Sequence, residues 1–340
     1  MPGFGSIRDQ QRAVRLLTGF LIQGNIPHAF LFTGLEGVGK RTAAVAFAMA
    51  CNCTSLSSER LSSTQDTRGS VDACGICVPC RKIAGHTHPD VVHVTPKGSL
   101  IRIEQIRELV HVLAMKPYEA AYRIAIVPQA HTMTPEAGNA LLKTLEEPPA
   151  QTLLILTASG TQDLLPTIVS RCQHVAFRPI SMETLTALLM EHAGVDSSEA
   201  AILVAMSLGS VTKALAMHRK GWLRRRRWLV EQLESLASPS MARSLAFARQ
   251  LSEDKDTIDD SLEIMKTWFR DVAVWPYDPE RIVNSDMAEH IKVAAGRQTP
   301  GAVARKMAAI ETAQQQLRAN TNPRITLEVL ALELTRATDD

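Results

Sequence analysis

The chain has 340 residues, room for two or three domains, with 45% apolar and 21% charged residues and a net charge of +2. A charge this close to neutral excludes a globally basic nucleic-acid binder, so any basic surface is local. No apolar run reaches the roughly 18 residues of a membrane span, the first residues lack a signal-peptide pattern, and the 6 cysteines cluster as for a metal site in a reducing compartment, so a cytoplasmic location is expected.

In chain order, His28–Thr33 predicts a buried strand ending at a glycine-rich turn, and Thr42–Ala50 an alanine-rich helix. Thr54–Ser70, polar and serine-rich, predicts a surface loop. Tyr122–Val127 and Leu153–Thr157 predict two further buried strands. Strands alternating with helices imply a largely parallel sheet covered on both faces. Beyond about Pro179 the strand signals stop. Met182–His192 and Ser198–Ser207 predict helices, the second capped by Asp196 or Ser197. From Gly221 onward the pattern is helical throughout, including Ser261–Trp275 and Ile325–Thr335. Domain boundaries are expected near 178 and 220.

Gly34-Leu35-Glu36-Gly37-Val38-Gly39-Lys40 follows a strand and opens a helix, the context of a phosphate-binding loop. Gly34, Gly37 and Gly39 let the backbone turn its N–H groups inward, and Lys40 would reach the terminal phosphates. Yet Arg41 stands where such a loop places the Ser or Thr that holds Mg²⁺. Thr42 comes one residue late, about 100° round the helix. The next central strand ends at Val127-Pro128-Gln129 without a carboxylate for the metal, Glu136 lies in the following segment, and His131 alone cannot replace a metal-binding acid. The residues leave two readings open, an empty relic and a loop that still binds ATP, and both disfavour hydrolysis.

Ile26–Gly34 with the following turn, Thr134–Pro149, and Leu165-Pro166-Thr167-Ile168-Val169-Ser170-Arg171-Cys172 resemble the bacterial clamp-loader AAA+ family. Weaker echoes run through Trp268–Asp271 and Asn320–Leu330, so the resemblance covers nearly the whole chain. It implies an AAA+ P-loop domain over 1–178 with an inserted zinc module at about 53–80, a helical lid over 179–220 and an all-α collar over 221–340. Family members of the gamma/tau type carry an intact loop and an acidic strand end. The lack of both here resembles the delta-prime type of DNA polymerase III.

That resemblance implies a ring with gamma/tau and delta subunits that loads the sliding clamp onto primed DNA. No catalysis by this chain itself is implied, only association with DNA-directed DNA polymerase activity. In the Ser170-Arg171-Cys172 triplet, it implies that Arg171 reaches ATP held by a neighbour. A guanidinium, always charged and able to bond in parallel pairs, suits that task. Spacing alone favours the plainer reading of Arg171, a surface arginine in a solvated turn.

Leu141, Leu142 and Leu145 lie at helical spacing and predict core. Glu146 and Glu147 predict a helix end stopped by Pro148, since adjacent helical positions diverge. Cys74, Cys77 and Cys80 place three thiols within seven residues, spacing that lets sulfurs converge on one tetrahedral Zn²⁺. For the fourth ligand, Cys51, Cys53, His86 and His88 are candidates. The resemblance points to Cys53 and assigns His88-Pro89-Asp90 to a turn without metal. Four ligands would make the zinc structural. Arg224–Arg227, bracketed by Trp222 and Trp228, reads as a solvated helix face or as a contact for DNA or an acidic partner. Two other functions remain as alternatives: an active gamma-type ATPase, and a zinc-dependent nucleic-acid-binding module.

Overall fold

The computed structural model describes residues 3–56, 71–236 and 240–335. Most of the serine-rich stretch Thr54–Ser70 lies outside the described residues. The chain forms two compact units, Met1–Leu185 with Gly209–Thr212, and Thr186–Leu208 with Lys213–Asp340.

Among the described residues, the first unit is built on five parallel strands, β1 (Ala29–Thr33), β2 (Val91–His93), β3 (Arg123–Val127), β4 (Thr152–Ala158) and β5 (Gln173–Ala176), in the order β2-β3-β4-β1-β5. The three central strands are buried at every position, as their unbroken apolar runs require. Side chains alternate between two cores. Phe30 and Phe32 join one with α1 (Gln11–Gln23), α2 (Lys40–Cys51) and α3 (Val78–Ala84). Ala29 and Leu31 join the other with α4 (Ile103–Leu113), α5 (Pro135–Glu146) and α6 (Pro166–Val169). Phe47 of α2 meets Phe30 edge-on at 5.2 Å between ring centroids. Leu141 and Leu145 are core, and Leu142 packs on them half-buried.

Strands β2 and β5 were absent from the expected set. β2 has three residues, and in β5 only Val175 is buried, so neither carries an apolar run. β2 is held instead by a polar staple at its head. Buried Asp90 accepts N–H bonds from Tyr118 (2.8 Å), Glu119 (2.9 Å) and Ala120 (3.0 Å), and pairs with the Arg123 guanidinium at 2.7 Å. Burial alone would raise the Asp90 carboxyl. The donors outweigh it and hold the group at about 2, below its ordinary 3.8.

Among the described residues, the remaining α-helices are α7 (Met182–Ala193), α8 (Ser197–Ser207), α9 (Val211–Arg219), α10 (Trp222–Ser235), α11 (Met241–Ser252), α12 (Ile258–Val274), α13 (Ala288–Gly296), α14 (Pro300–Arg318) and α15 (Pro323–Thr335). Asp196 is the N-cap of α8, accepting from the N–H groups of Ser198 and Glu199. In the second unit, α11 packs along α15, and α12 along α14 and α10.

The arginine run on α10 corrects the expectation of a solvated face. Arg224 and Arg227 are exposed, but Arg226 is buried and bonds Asn284 and Asp286. Asn284 in turn donates to buried Asp271 at 2.7 Å, which also takes the Val283 and Asn284 N–H groups. Arg225 donates to Ser261 and lies over the Trp228 ring at 4.5 Å. Trp222 is buried and Trp228 half-buried, as core anchors. Successive positions on a helix point in different directions, so one run supplies both structural and exposed arginines.

Candidate functional site

Helix α2 carries a candidate site at each end. At its N-terminus, the turn after β1 has the glycine conformations of a phosphate cradle: Gly34, Gly37 and Gly39 have φ of +140°, +80° and +102°. A Cβ on Gly34 would lie 2.5 Å from the Phe177 carbonyl oxygen, and one on Gly37 2.6 Å from Ser210 Oγ. The turn is thus pressed against the 209–212 segment, where Val211 N–H also donates to the Gly37 carbonyl at 3.3 Å.

Lys40 does not point into open space. Its ammonium donates to the carbonyls of Gly34 and, at 2.8 Å, Leu35. Burial lowers its pKa, with Glu36 opposing. Arg41 is exposed on the first turn of α2. Where a metal-binding acid would be needed, Gln129 takes a left-handed backbone (φ +54°) and donates its N–H to Thr157 Oγ1 at 3.2 Å. His131 is exposed on the turn that follows.

Past the C-terminus of α2 lies the second site. The sulfurs of Cys53, Cys74, Cys77 and Cys80 all lie within 4.8 Å of one another. A tetrahedral ion with ~2.3 Å bonds to sulfur needs sulfur pairs about 3.8 Å apart. Cys77 and Cys53 stand at 4.0 Å, far from the ~2.05 Å of a disulfide. Backbone N–H groups already point at the sulfurs, Cys74 N–H to Cys53 Sγ and Cys77 N–H to Cys74 Sγ, each at 3.4 Å.

The Cys77 N–H, helped by Ser55, brings the Cys74 thiol down to about 6. Burial works against Cys77, yet bonds from Cys80 and Thr54 leave it lowered. The Cys80 thiol is pushed up, first by burial and then by its neighbours' sulfurs. The donor set therefore fits a soft tetrahedral cation such as Zn²⁺.

Cys51 is not in the group. It packs against the core, and burial pushes its thiol up. The histidines also stand apart. His88 Nδ1 accepts the Asp90 N–H at 3.1 Å, and burial lowers its pKa. His86 meets His93 at 3.1 Å. Cys53 thus completes the cluster, in agreement with the resemblance.

The third feature is the turn between α6 and β5. The N-cap Thr134 starts α5, accepting the Ala137 N–H, and Pro148 follows its last turn. Gly138 lets α6 lie close on α5: a Cβ there would be 3.0 Å from Leu165 Cδ1 and 3.5 Å from Ile168 Cδ1. The two sequence segments most like the clamp-loader family are therefore in contact. Arg171 Nη1 donates to the Thr167 carbonyl (3.0 Å) and Ser170 Oγ (3.2 Å), and Nη2 pairs with Glu146 Oε1 at 2.8 Å. The Glu146 contact was not expected. Cys172 packs half-buried below, its thiol pushed up to about 12 by burial. Among the described residues, no helix is long and apolar enough to cross a membrane.

A family model described as "DNA polymerase III, delta subunit" matches residues 9–181, and one described as "DNA polymerase III, delta subunit, C terminal" matches residues 220–336. The DNA polymerase III subunit delta' of Bacillus subtilis is 28% identical over 330 residues, 96% of each chain. That of Pseudomonas aeruginosa is 31% identical over 250 residues, 72% of this chain and 70% of the relative. The subunit tau of Salmonella typhimurium is 25% identical over 94% of this chain but only 48% of its own length.

Proposed function

Since the chain belongs to the family of DNA polymerase III delta' subunits, we propose that it is a clamp-loader subunit that hydrolyses no ATP itself and lends Arg171 to ATP held by a neighbour. The carrying observation is the contrast between two cations. Lys40 is satisfied by carbonyls of its own loop, beside a strand end that has Gln129 and no acid. Arg171 is about one-third exposed on a surface turn and takes a single carboxylate. Phosphoryl transfer requires metal-binding oxygens, and the first constellation has neither a hydroxyl at position 41 nor a carboxylate at the strand end. A guanidinium supplied in trans requires only reach and charge.

In this reading the partners are gamma/tau-type and delta subunits and the sliding clamp, with primed DNA met through the assembled complex in the cytoplasm. The AAA+ domain spans 1–178, a helical lid 179–220, and a collar for assembly 221–340. Cys53, Cys74, Cys77 and Cys80 hold a structural Zn²⁺. Four sulfur ligands leave no open position for a water nucleophile, so the metal ties the C-terminal end of α2 to α3.

The deciding experiment reconstitutes the complex with ATP-binding and delta subunits and compares wild type with Arg171→Ala. Clamp- and DNA-stimulated turnover is expected to fall by roughly 10³-fold with assembly intact. Unchanged turnover removes the trans-acting role. The purified chain alone is expected to show no magnesium-dependent ATPase. A rate that disappears in Lys40→Ala would establish instead a gamma-type motor.

A further inference from the structure

We propose that Glu146 is a positioning residue for Arg171, holding the guanidinium on its own subunit until a triphosphate on a neighbour competes for it. The inference rests on the trans-acting reading of Arg171 given above.

The geometry is that of a parked side chain. Three acceptors of the same unit take the guanidinium: the Thr167 carbonyl, Ser170 Oγ and Glu146 Oε1. Two of these lie on the arginine's own turn and travel with it. Glu146 alone belongs to a different helix, 25 residues earlier in sequence. That helix end is fixed, because His28 at the foot of β1 bonds the Leu145 carbonyl at 3.0 Å. The turn is fixed as well, through the Gly138 contact with Leu165 and Ile168. The ion pair therefore joins two anchored positions across an element boundary, unlike the helical i,i+4 pair of Arg324 and Glu328 on α15.

The same geometry makes the hold reversible. Glu146 is 52% exposed and Arg171 35%, so the pair is screened by solvent and salt. A triphosphate presents several anionic oxygens to a guanidinium and can bond it in parallel pairs. It therefore displaces a lone exposed carboxylate once a neighbouring subunit brings it into reach. Until then, only a fraction of complexes has Arg171 free, and the effective rate falls by that fraction. Exposed ion pairs hold weakly, so freeing the arginine should raise turnover only about two- to fivefold.

The test uses the reconstituted complex with wild type, Glu146→Gln, Arg171→Ala and the double variant, measuring ATP turnover with and without clamp and primed DNA. Glu146→Gln is expected to raise turnover about two- to fivefold without clamp and DNA, and to change the stimulated rate little. Glu146→Asp, which keeps the charge on a shorter arm, should fall between the two. The double variant should match Arg171→Ala. If Glu146→Gln leaves the unstimulated rate unchanged or lowers it while Arg171→Ala is inactive, the parking role is overturned and the trans-acting role stands. A rise of equal size in the Arg171→Ala background also overturns parking, because Glu146 would then act through another group. Full activity of Arg171→Ala itself overturns the reading beneath both.

Discussion

Helix α2 begins and ends at constellations that look equally suggestive, and they differ in what their side chains can do. At the N-terminal end, three glycines shape the backbone as a phosphate cradle would, but the ammonium is spent on neighbouring carbonyls and Arg41 replaces a hydroxyl. At the C-terminal end, irregular backbone and the first turn of α3 gather four sulfurs within 4.8 Å, with N–H groups already directed at two of them. On the function proposed for the chain, shape persists at the first without the donors that chemistry needs. At the second, the donor set is complete. An inventory of donors thus predicts a site better than an outline does.

The strongest way to break this contrast is at the cysteines. Metal analysis of the purified chain should find about one zinc. Chelation, or the paired change Cys74→Ser and Cys77→Ser, should cost the first unit several kcal/mol, given the ~10–16 kcal/mol with which structural zinc binds small modules. An unchanged melting temperature after complete metal removal would put the cysteine end on a par with the loop.

Next in size is Asp90→Asn, which separates what the metal orders from what the polar staple orders at the head of β2. It leaves Arg123 buried without its counter-ion and weakens three backbone bonds, at an expected cost of about 3–5 kcal/mol in urea unfolding. The sign of its pH dependence follows from a carboxyl lowered on folding. The contribution is full above the ordinary 3.8 and is lost as pH falls from there through about 2.

Gly37→Ala probes the shape of the loop. With φ at +80° and Ser210 and Thr212 within 2.8 Å of the added carbon, it should cost about 1–3 kcal/mol. Lys40→Ala is the smallest expected effect: turnover of the reconstituted complex within about twofold of wild type, as for an amine that does no chemistry. A large loss would return the loop to the active class.

Strands β1, β3 and β4 were legible because burial on both faces writes a continuous apolar run into the sequence. β2 and β5 were not, because hydrogen bonding to a buried neighbour, rather than apolar content, makes them strands. The metal cluster was legible for the opposite reason, since its chemistry sits in a few thiols at fixed spacing. Cys53 lies 21 residues before Cys74, and only the fold brings them together.

The distribution of roles among the arginines was hidden. Arg226 is structural because Asn284 and Asp286 wait some 58–60 residues away, and no local pattern distinguishes it from Arg224. Glu146 was read only as the end of a helix. That reading describes its backbone, and its charge acquired a partner through tertiary packing.

The missing side chain at position 138 sets how closely two helices lie. A methyl there would meet Leu165 Cδ1 at 3.0 Å and Ile168 Cδ1 at 3.5 Å, so those side-chain ends would have to give by a few tenths of an ångström. Gly138 stands two turns, about 12 Å, before Glu146 on α5. The seam it leaves bare is therefore the one across which Glu146 and Arg171 pair.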